Sequence, residues 1–495
     1  MRTIAATLLF CIVLGVHAET TVFLDARPDW MALHDKAVAL ARQNVETIDG
    51  WQTQMTCMPG VGKIWTWDSC YMALFAGLTP EGCDGLGNLD NLYRLQSPDG
   101  YVSMAYEYAT RRPAFGERVN PPLFAWCEWQ YARRTGDTSR LPRAYDAASR
   151  LYRWLKANRT RMCNGLYWFE DTGSSGMDNS PRSGYSAEHQ KGSDVCFVDL
   201  CCQQVLAARC LAKIAPLVGK ADETAKWLAE AETLAESINR LMWCERTRFY
   251  HDVYIKTDNK LAVKTAAAFW ALVSGVATGS RAAKLAAHLE NPATFGTKYP
   301  VPSLSADDPN FREDGGYWLG SVWPPIVYMT VCGLRECGRR DLARKIAVRH
   351  LDQMAATLTN TTPSTIWECY RPNEAGPAKA AKGEDVRPDF VGWGGLGPLV
   401  MLVEDVIGLD VDAISGVVDW HLSERGRQGV TDLQFGGGHL SLCARIGVKG
   451  HIDELKVKTN RKFNLRVSLS DGRSVTEYEI KPTGDWQELN GFNEN

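Results

Sequence analysis

The chain has 495 residues, of which 45% are hydrophobic, so it can bury a large core and disorder is not indicated. Its formal net charge of −3 offers no basic field for a phosphate backbone, which excludes nucleic acid as the expected partner and favours neutral or small ligands. The fifteen cysteines repeat no CxxC pair, so zinc is not expected; buried thiols or disulfides are.

Residues 1–18 combine Arg2, an apolar run from Ile4 to Val16 and a small-residue exit at Val16-His17-Ala18, the pattern of a cleaved secretory signal. The run is too short to span a membrane, which takes about 20 apolar residues. Phe10 before Cys11 argues against lipoprotein processing, which wants a small residue there. The mature protein is therefore expected to be exported and free of the membrane.

From Trp30 to about Leu409 apolar positions recur at helical spacing, as in Trp227, Leu228, Ala231, Leu234, Ala235, Ile238 and Leu241. The pattern predicts helices over roughly 31–46, 69–77, 86–95, 120–135, 139–157, 197–216, 221–242, 264–276, 281–289, 321–338, 340–358 and 393–408. Tight turns such as Gly136-Asp137 alternate with long Gly, Pro and aromatic loops, which implies helical hairpins closing into a barrel with a cleft at one end. Loops 158–194, 291–320 and 361–392 exceed ordinary connections, and such loops carry function. Beyond Asp410 short alternating runs divided by Gly read as strands. The expected architecture is mainly α, with a barrel over 19–410 and a small β-rich domain over 411–495.

Taken in chain order, the unusual residues sit in the loops. Trp65-Thr66-Trp67-Asp68-Ser69 sets a carboxylate after two indoles at a helix start. Asp68 would cap that helix or accept sugar hydroxyls beside an aromatic face. Gln96 lies in Leu95-Gln96-Ser97-Pro98-Asp99-Gly100. The segment Ser174-Ser175-Gly176-Met177-Asp178-Asn179-Ser180-Pro181-Arg182 holds a lone carboxylate among glycines, hydroxyls and a proline. In Gly315-Gly316-Tyr317-Trp318-Leu319-Gly320-Ser321-Val322-Trp323-Pro324-Pro325, Tyr317 and Trp318 favour ligand contact and Trp323 favours packing. Finally, Trp367-Glu368-Cys369-Tyr370 puts a carboxylate between aromatics, a poor choice for a solvated charge, and Gly392-Trp393-Gly394-Gly395 follows at a helix start.

Together, the order WDS, GMDNSPR, YWxGxVWPP, ExYxPxxG and GWGGLGP over about 50–410 resembles glycoside hydrolase family 63 and the related mannosylglycerate hydrolases. The trehalases are similar at lower fidelity, through Ser175-Gly176-Met177-Asp178. The resemblance implies an (α/α)6 barrel and an inverting O-glycosidase. It makes Asp178 the general acid and Glu368 the general base. Trp67, Asp68, Tyr317, Trp318 and Trp393 would contact the sugar, with Asn179, Arg182 and Gln96 as neighbours. No cofactor or metal is implied. Leu319 departs from the arginine of the relatives' YWRG, and Asn120 stands where many relatives read glutamine.

Glycosidic hydrolysis takes one carboxyl to protonate the leaving oxygen and one to activate water, about 6.5–9.5 Å apart for inversion. The expected substrate is an α-linked glucoside or small oligosaccharide, with glucose, mannose and galactose not distinguished. The alternatives are a trehalase- or mannosylglycerate-type hydrolase, a sugar-binding barrel without catalysis, and a polysaccharide lyase, for which the nine histidines form no suitable cluster.

Overall fold

The computed structural model describes residues 19–161, 164–183, 194–469 and 475–491; the expected signal lies outside them. The chain enters through strand β1 (Thr21–Leu24) and continues into α1 (Pro28–Gln43), α2 (Thr66–Ala73), α3 (Leu86–Leu95), α4 (Phe124–Thr135), α5 (Leu141–Asn158) and α6 (Val198–Ile214). There follow α7 (Thr224–Leu241), α8 (Trp270–Val273), α9 (Gly279–Ala287), α10 (Pro324–Glu336), α11 (Arg340–Asn360) and α12 (Val391–Gly394). α12 runs on as a π-helix over Leu396–Ile407.

Even-numbered helices touch in sequence, α2 to α4, α4 to α6, α6 to α8, α8 to α10 and α10 to α12, and α12 returns to α2. Odd-numbered helices pack outside this ring, α5 and α7 on α6 and α11 on α10. Composition explains the two layers. On α7 only one stripe is buried (Trp227, Ala231, Leu234, Ala235, Ile238), as a helix facing solvent on its other side requires. α6 is buried on nearly every side, from Val198 through Ile214, because helices surround it. That packing accounts for the high hydropathy of Val198–Val218, 72% of whose most apolar window is inside the molecule.

The inner helices start at the long loops and end at the opposite face. There their unpaired carbonyls gather partial negative charge, which cations offset. Arg134 donates to the Leu74 and Ala76 carbonyls at 2.8 and 3.0 Å and to Glu404 at 2.7 Å. Arg209 donates to the Ser274 carbonyl at 2.7 Å, and Arg335 to Glu404 and Asp405 at 2.9 and 3.1 Å. A cavity of about 1140 Å³ opens among these arginines, well away from the motif loops.

The C-terminal region consists of β2 (Leu409–Asp412), β3 (Val417–Leu422), β4 (Gly426–Phe435), β5 (Gly438–Ile446), β6 (Ile452–Thr459), β7 (Phe463–Leu469), β8 (Val475–Ile480) and β9 (Gln487–Glu488). They form two sheets, ordered β1-β4-β5-β6-β9 and β2-β3-β7-β8. The expected boundary is thereby corrected. Thr21–Leu24 pairs antiparallel with β4, Thr21 opposite Thr431, so the first strand belongs to the C-terminal sheet. This region also caps the ring: Ala413 N–H donates to Arg133 O and Gly436 N–H to Thr135 O, both at 2.7 Å, closing α4. The thirteen cysteines among the described residues are all free thiols, most of them buried.

Candidate active site

Asp178 sits on a loop whose backbone is tied to itself. Met177 N–H donates to Thr172 O at 3.1 Å, Gly176 N–H to Gly173 O at 2.9 Å, and the Thr172 hydroxyl to Asp178 O at 2.6 Å. Gly176 is needed twice over: its φ is +81°, and a Cβ there would come within 2.4 Å of Trp67. The loop is stapled to its neighbour by Asn179, which donates to Gly316 O at 2.9 Å and accepts from Trp318 N–H at 2.8 Å. Asn120 donates to Ser174 O at 3.1 Å.

Arg182 anchors the loop from behind. It is fully buried, with Nη1 and Nη2 on Asp199 at 2.7 and 2.8 Å and Nε and Nη2 on Asp252, both at 2.8 Å. Two buried carboxylates thus occupy its fork. The expectation that Arg182 neighbours the sugar is corrected, because its planar face also rests on Phe197.

Glu368 arrives from the long loop before α12 and is 5% exposed. Tyr317 donates its hydroxyl to Oε1 at 3.0 Å, and Arg387 N–H approaches Oε2 at 3.4 Å. Trp393 Nε1 donates to the Glu368 carbonyl at 2.9 Å. Tyr317 holds a left-handed φ of 66°, uncommon for a side chain of its size, and it aims the phenol at the carboxylate. Burial beside Glu368 and Asp178 pushes the phenol's pKa far up, so it stays a donor.

Asp68, in the first turn of α2, is likewise 5% exposed. The helix N-cap is Trp65 and has no side-chain cap bond, so Asp68 is not spent on capping. Burial pushes Asp68 up to about 7, opposed by the Cys57 thiol, and the Glu368 charge adds to the rise. Burial, then Glu368, then Asp171 and Asp68 push Asp178 up to about 7. Glu368 is raised by burial, with the Arg387 charge, the Arg387 N–H and Tyr317 pulling it back. The three carboxyls therefore share one electrostatic site.

Indoles wall this site. Trp67 stands 5.7 Å from Trp393 and 6.3 Å from Trp318, and Trp318 stacks on Trp323 at 4.0 Å with rings 5° from parallel. Trp323 packs, as expected. Trp318 is a correction: at 0% exposure its ring is sealed behind the wall, and it serves through its backbone bond to Asn179. Trp67 and Trp393 are 3% and 6% exposed. Gln96 is also corrected, since its amide donates to Gly100 O and Ala147 O at 2.9 Å, holding the turn after α3 against α5.

The profile of the mannosylglycerate hydrolase MGH1-like glycoside hydrolase domain matches residues 62–385, more than half of the chain. The chain belongs to this family. As a member of a glycoside hydrolase family it acts on carbohydrate. An uncharacterized protein of Borreliella burgdorferi is 26% identical over 416 residues, 82% of this chain and 85% of that one. The fold is similar to that of the GH63 mannosylglycerate hydrolase of Thermus thermophilus in complex with glucose, with TM-score 0.62 and 22% identity over 74% of this chain and 99% of that one. It is also similar to the neutral trehalase Nth1 of Saccharomyces cerevisiae, TM-score 0.57, at 15% identity over 73% and 79% of the two chains.

In this glycoside hydrolase the structure brings together Asp178, Glu368, Asp68, Trp67, Tyr317, Trp393 and Asn179, and leaves Gln96 and Arg182 outside. Four contributors went unread in the sequence. Arg118 pairs with Asp171 at 2.5 Å, next to the acid loop; Cys57 touches Asp68; Arg387 acts on Glu368. Only Asp171 carried a signal, as a charge entering the Gly/Ser loop.

Proposed function

We propose that the protein is an exported, inverting glycosidase in which Asp178 protonates the leaving oxygen, Glu368 activates water, and an α-linked glucoside or small oligosaccharide is the substrate. The ring of alternating helix contacts supports reading the fold as an (α/α)6 barrel. The observation that carries the mechanism is the opposed treatment of the two carboxyls. Burial raises both and each feels one arginine charge, Arg118 or Arg387, but among the described residues only Glu368 also accepts from donors, the Tyr317 hydroxyl and Arg387 N–H, that favour its anion, while Asp178 is pushed up to about 7. Donors on one carboxyl and none on the other suit a division of labour between general base and general acid.

The pocket also suits a polyhydroxylated ring. Asp68 Oδ1 is buried and meets no hydrogen-bond partner among the described residues. Buried polar atoms are normally paired. Sugar hydroxyls supply partners of the right kind, directly or through water, while Trp67 and Trp393 offer apolar edges to C–H groups. The Thermus structure, which holds glucose, favours a hexose of that shape.

The test uses α-glucosyl and α-mannosyl fluoride beside α-linked disaccharides, with product anomers read by proton NMR. Asp178→Asn and Glu368→Gln are each expected to lower disaccharide turnover by about two to four orders of magnitude. Fluoride leaves without a proton, so the Asp178 variant should recover on the fluorides and the Glu368 variant should not. A first product of β configuration supports inversion; an α product overturns it.

A further inference from the structure

The carboxylate of Glu368 is bracketed by Tyr317 and by one other residue, Arg387. Glu368 N–H donates to Arg387 O at 3.0 Å, and Arg387 N–H returns toward Oε2. The Arg387 side chain is exposed, and among the described residues it joins no ion pair; its guanidinium reaches Met58 Sδ, on the segment that carries Cys57. The other groups facing Glu368 are Tyr317, Asp68, Asp178 and Cys369, each an acid or an anion. Among the described residues, Arg387 is the single cation whose charge acts on Glu368.

We propose that Arg387 is the positioning residue that keeps the base ionised: its main chain orients the Glu368 carboxylate, and its guanidinium, braced on Met58, supplies the compensating charge. The proposal rests on Glu368 being the base. Burial drives Glu368 toward its neutral form, and a nearby opposite charge reverses that drive. The contact with Met58 sets the guanidinium beside the segment that carries Cys57, whose thiol meets Asp68. Because the head group is exposed, its field is open to salt, unlike that of a sealed ion pair.

The test follows the Glu368 carboxyl carbon by NMR in full-length protein labelled at glutamate carboxyls, the signal being assigned by its loss in Glu368→Gln. Arg387→Gln is expected to raise the Glu368 titration midpoint by about 0.5–1 pH unit, a roughly 3- to 10-fold gain in proton affinity. Arg387→Lys should stay near wild type. Salt at about 1 M should move the wild type toward Arg387→Gln and leave that variant in place. Equal midpoints in wild type and Arg387→Gln, or no salt response in the wild type, overturn the proposal; the salt arm does not depend on any variant folding. Failure of the underlying reading shows separately, as undiminished fluoride hydrolysis by Glu368→Gln with the titration differences intact.

Discussion

Asp178 is held in a state that folding alone would not choose. Its pKa in the native protein is raised to about 7 from 3.8, so the folded state binds the proton more tightly than the unfolded chain does. The linkage then has a definite sign: stability is undiminished below about pH 4 and falls as pH rises toward 7. Asp178→Asn is expected to stabilise the protein by about 1–3 kcal/mol at pH 8 and by almost nothing at pH 4, measured by urea unfolding at both pH values. The same variant is expected to lose activity, so catalysis and stability should move in opposite directions at one atom. Tyr317→Phe acts on the partner group. It removes a charge-assisted hydrogen bond, raises the proton affinity of Glu368 and should shift the acidic limb of the kcat/KM profile upward by about 1 pH unit. An acidic limb that stays in place would show that the phenol does not govern the base. Both carboxylates were legible in the sequence because each interrupts a run of glycines or aromatics where a solvated charge has no business. Gln96 and Arg182 stand in equally unusual loops, but their partners, Ala147 O and Asp252, are remote in sequence and left no local trace.

At the scale of elements, the acid loop depends on what lies beneath it. Arg182 joins the turn after Asp178 to the first turn of α6 through Asp199 and to the segment between α7 and α8 through Asp252. Arg182→Met leaves two buried carboxylates without their cation, and the expected cost is about 3–5 kcal/mol in urea unfolding. Gly176→Ala forces a side chain into the Trp67 ring and a left-handed backbone, so it should displace Asp178 and lower turnover while leaving the helical circular dichroism unchanged. The helices themselves were readable because their apolar period is set by one-sided burial. Their ends shifted by a few residues for a visible cause. Pro28 sits at the first position of α1, a start signal that places the helix at 28–43 rather than 31–46.

Across the whole molecule the two regions are not separable parts. Arg133 and Arg340 both reach Asp410, at 2.6 and 3.0 Å, and the last carbonyls of α4 are closed by Ala413 and Gly436. A fragment ending at residue 408 exposes those carbonyls and strips two arginines of their partner. It should lose cooperative thermal unfolding in near-ultraviolet circular dichroism; a sharp, wild-type-like transition would show that the helical ring stands alone. The β-rich tail was legible from alternation and glycine punctuation, yet β1 was not, since four residues with no neighbouring strand give no pattern to read. Thr21 finds Thr431 only after nearly all of the chain has been made. The sheet that β1 joins is therefore incomplete while synthesis continues, and the first strand of the chain gains its partner only when β4 has been made.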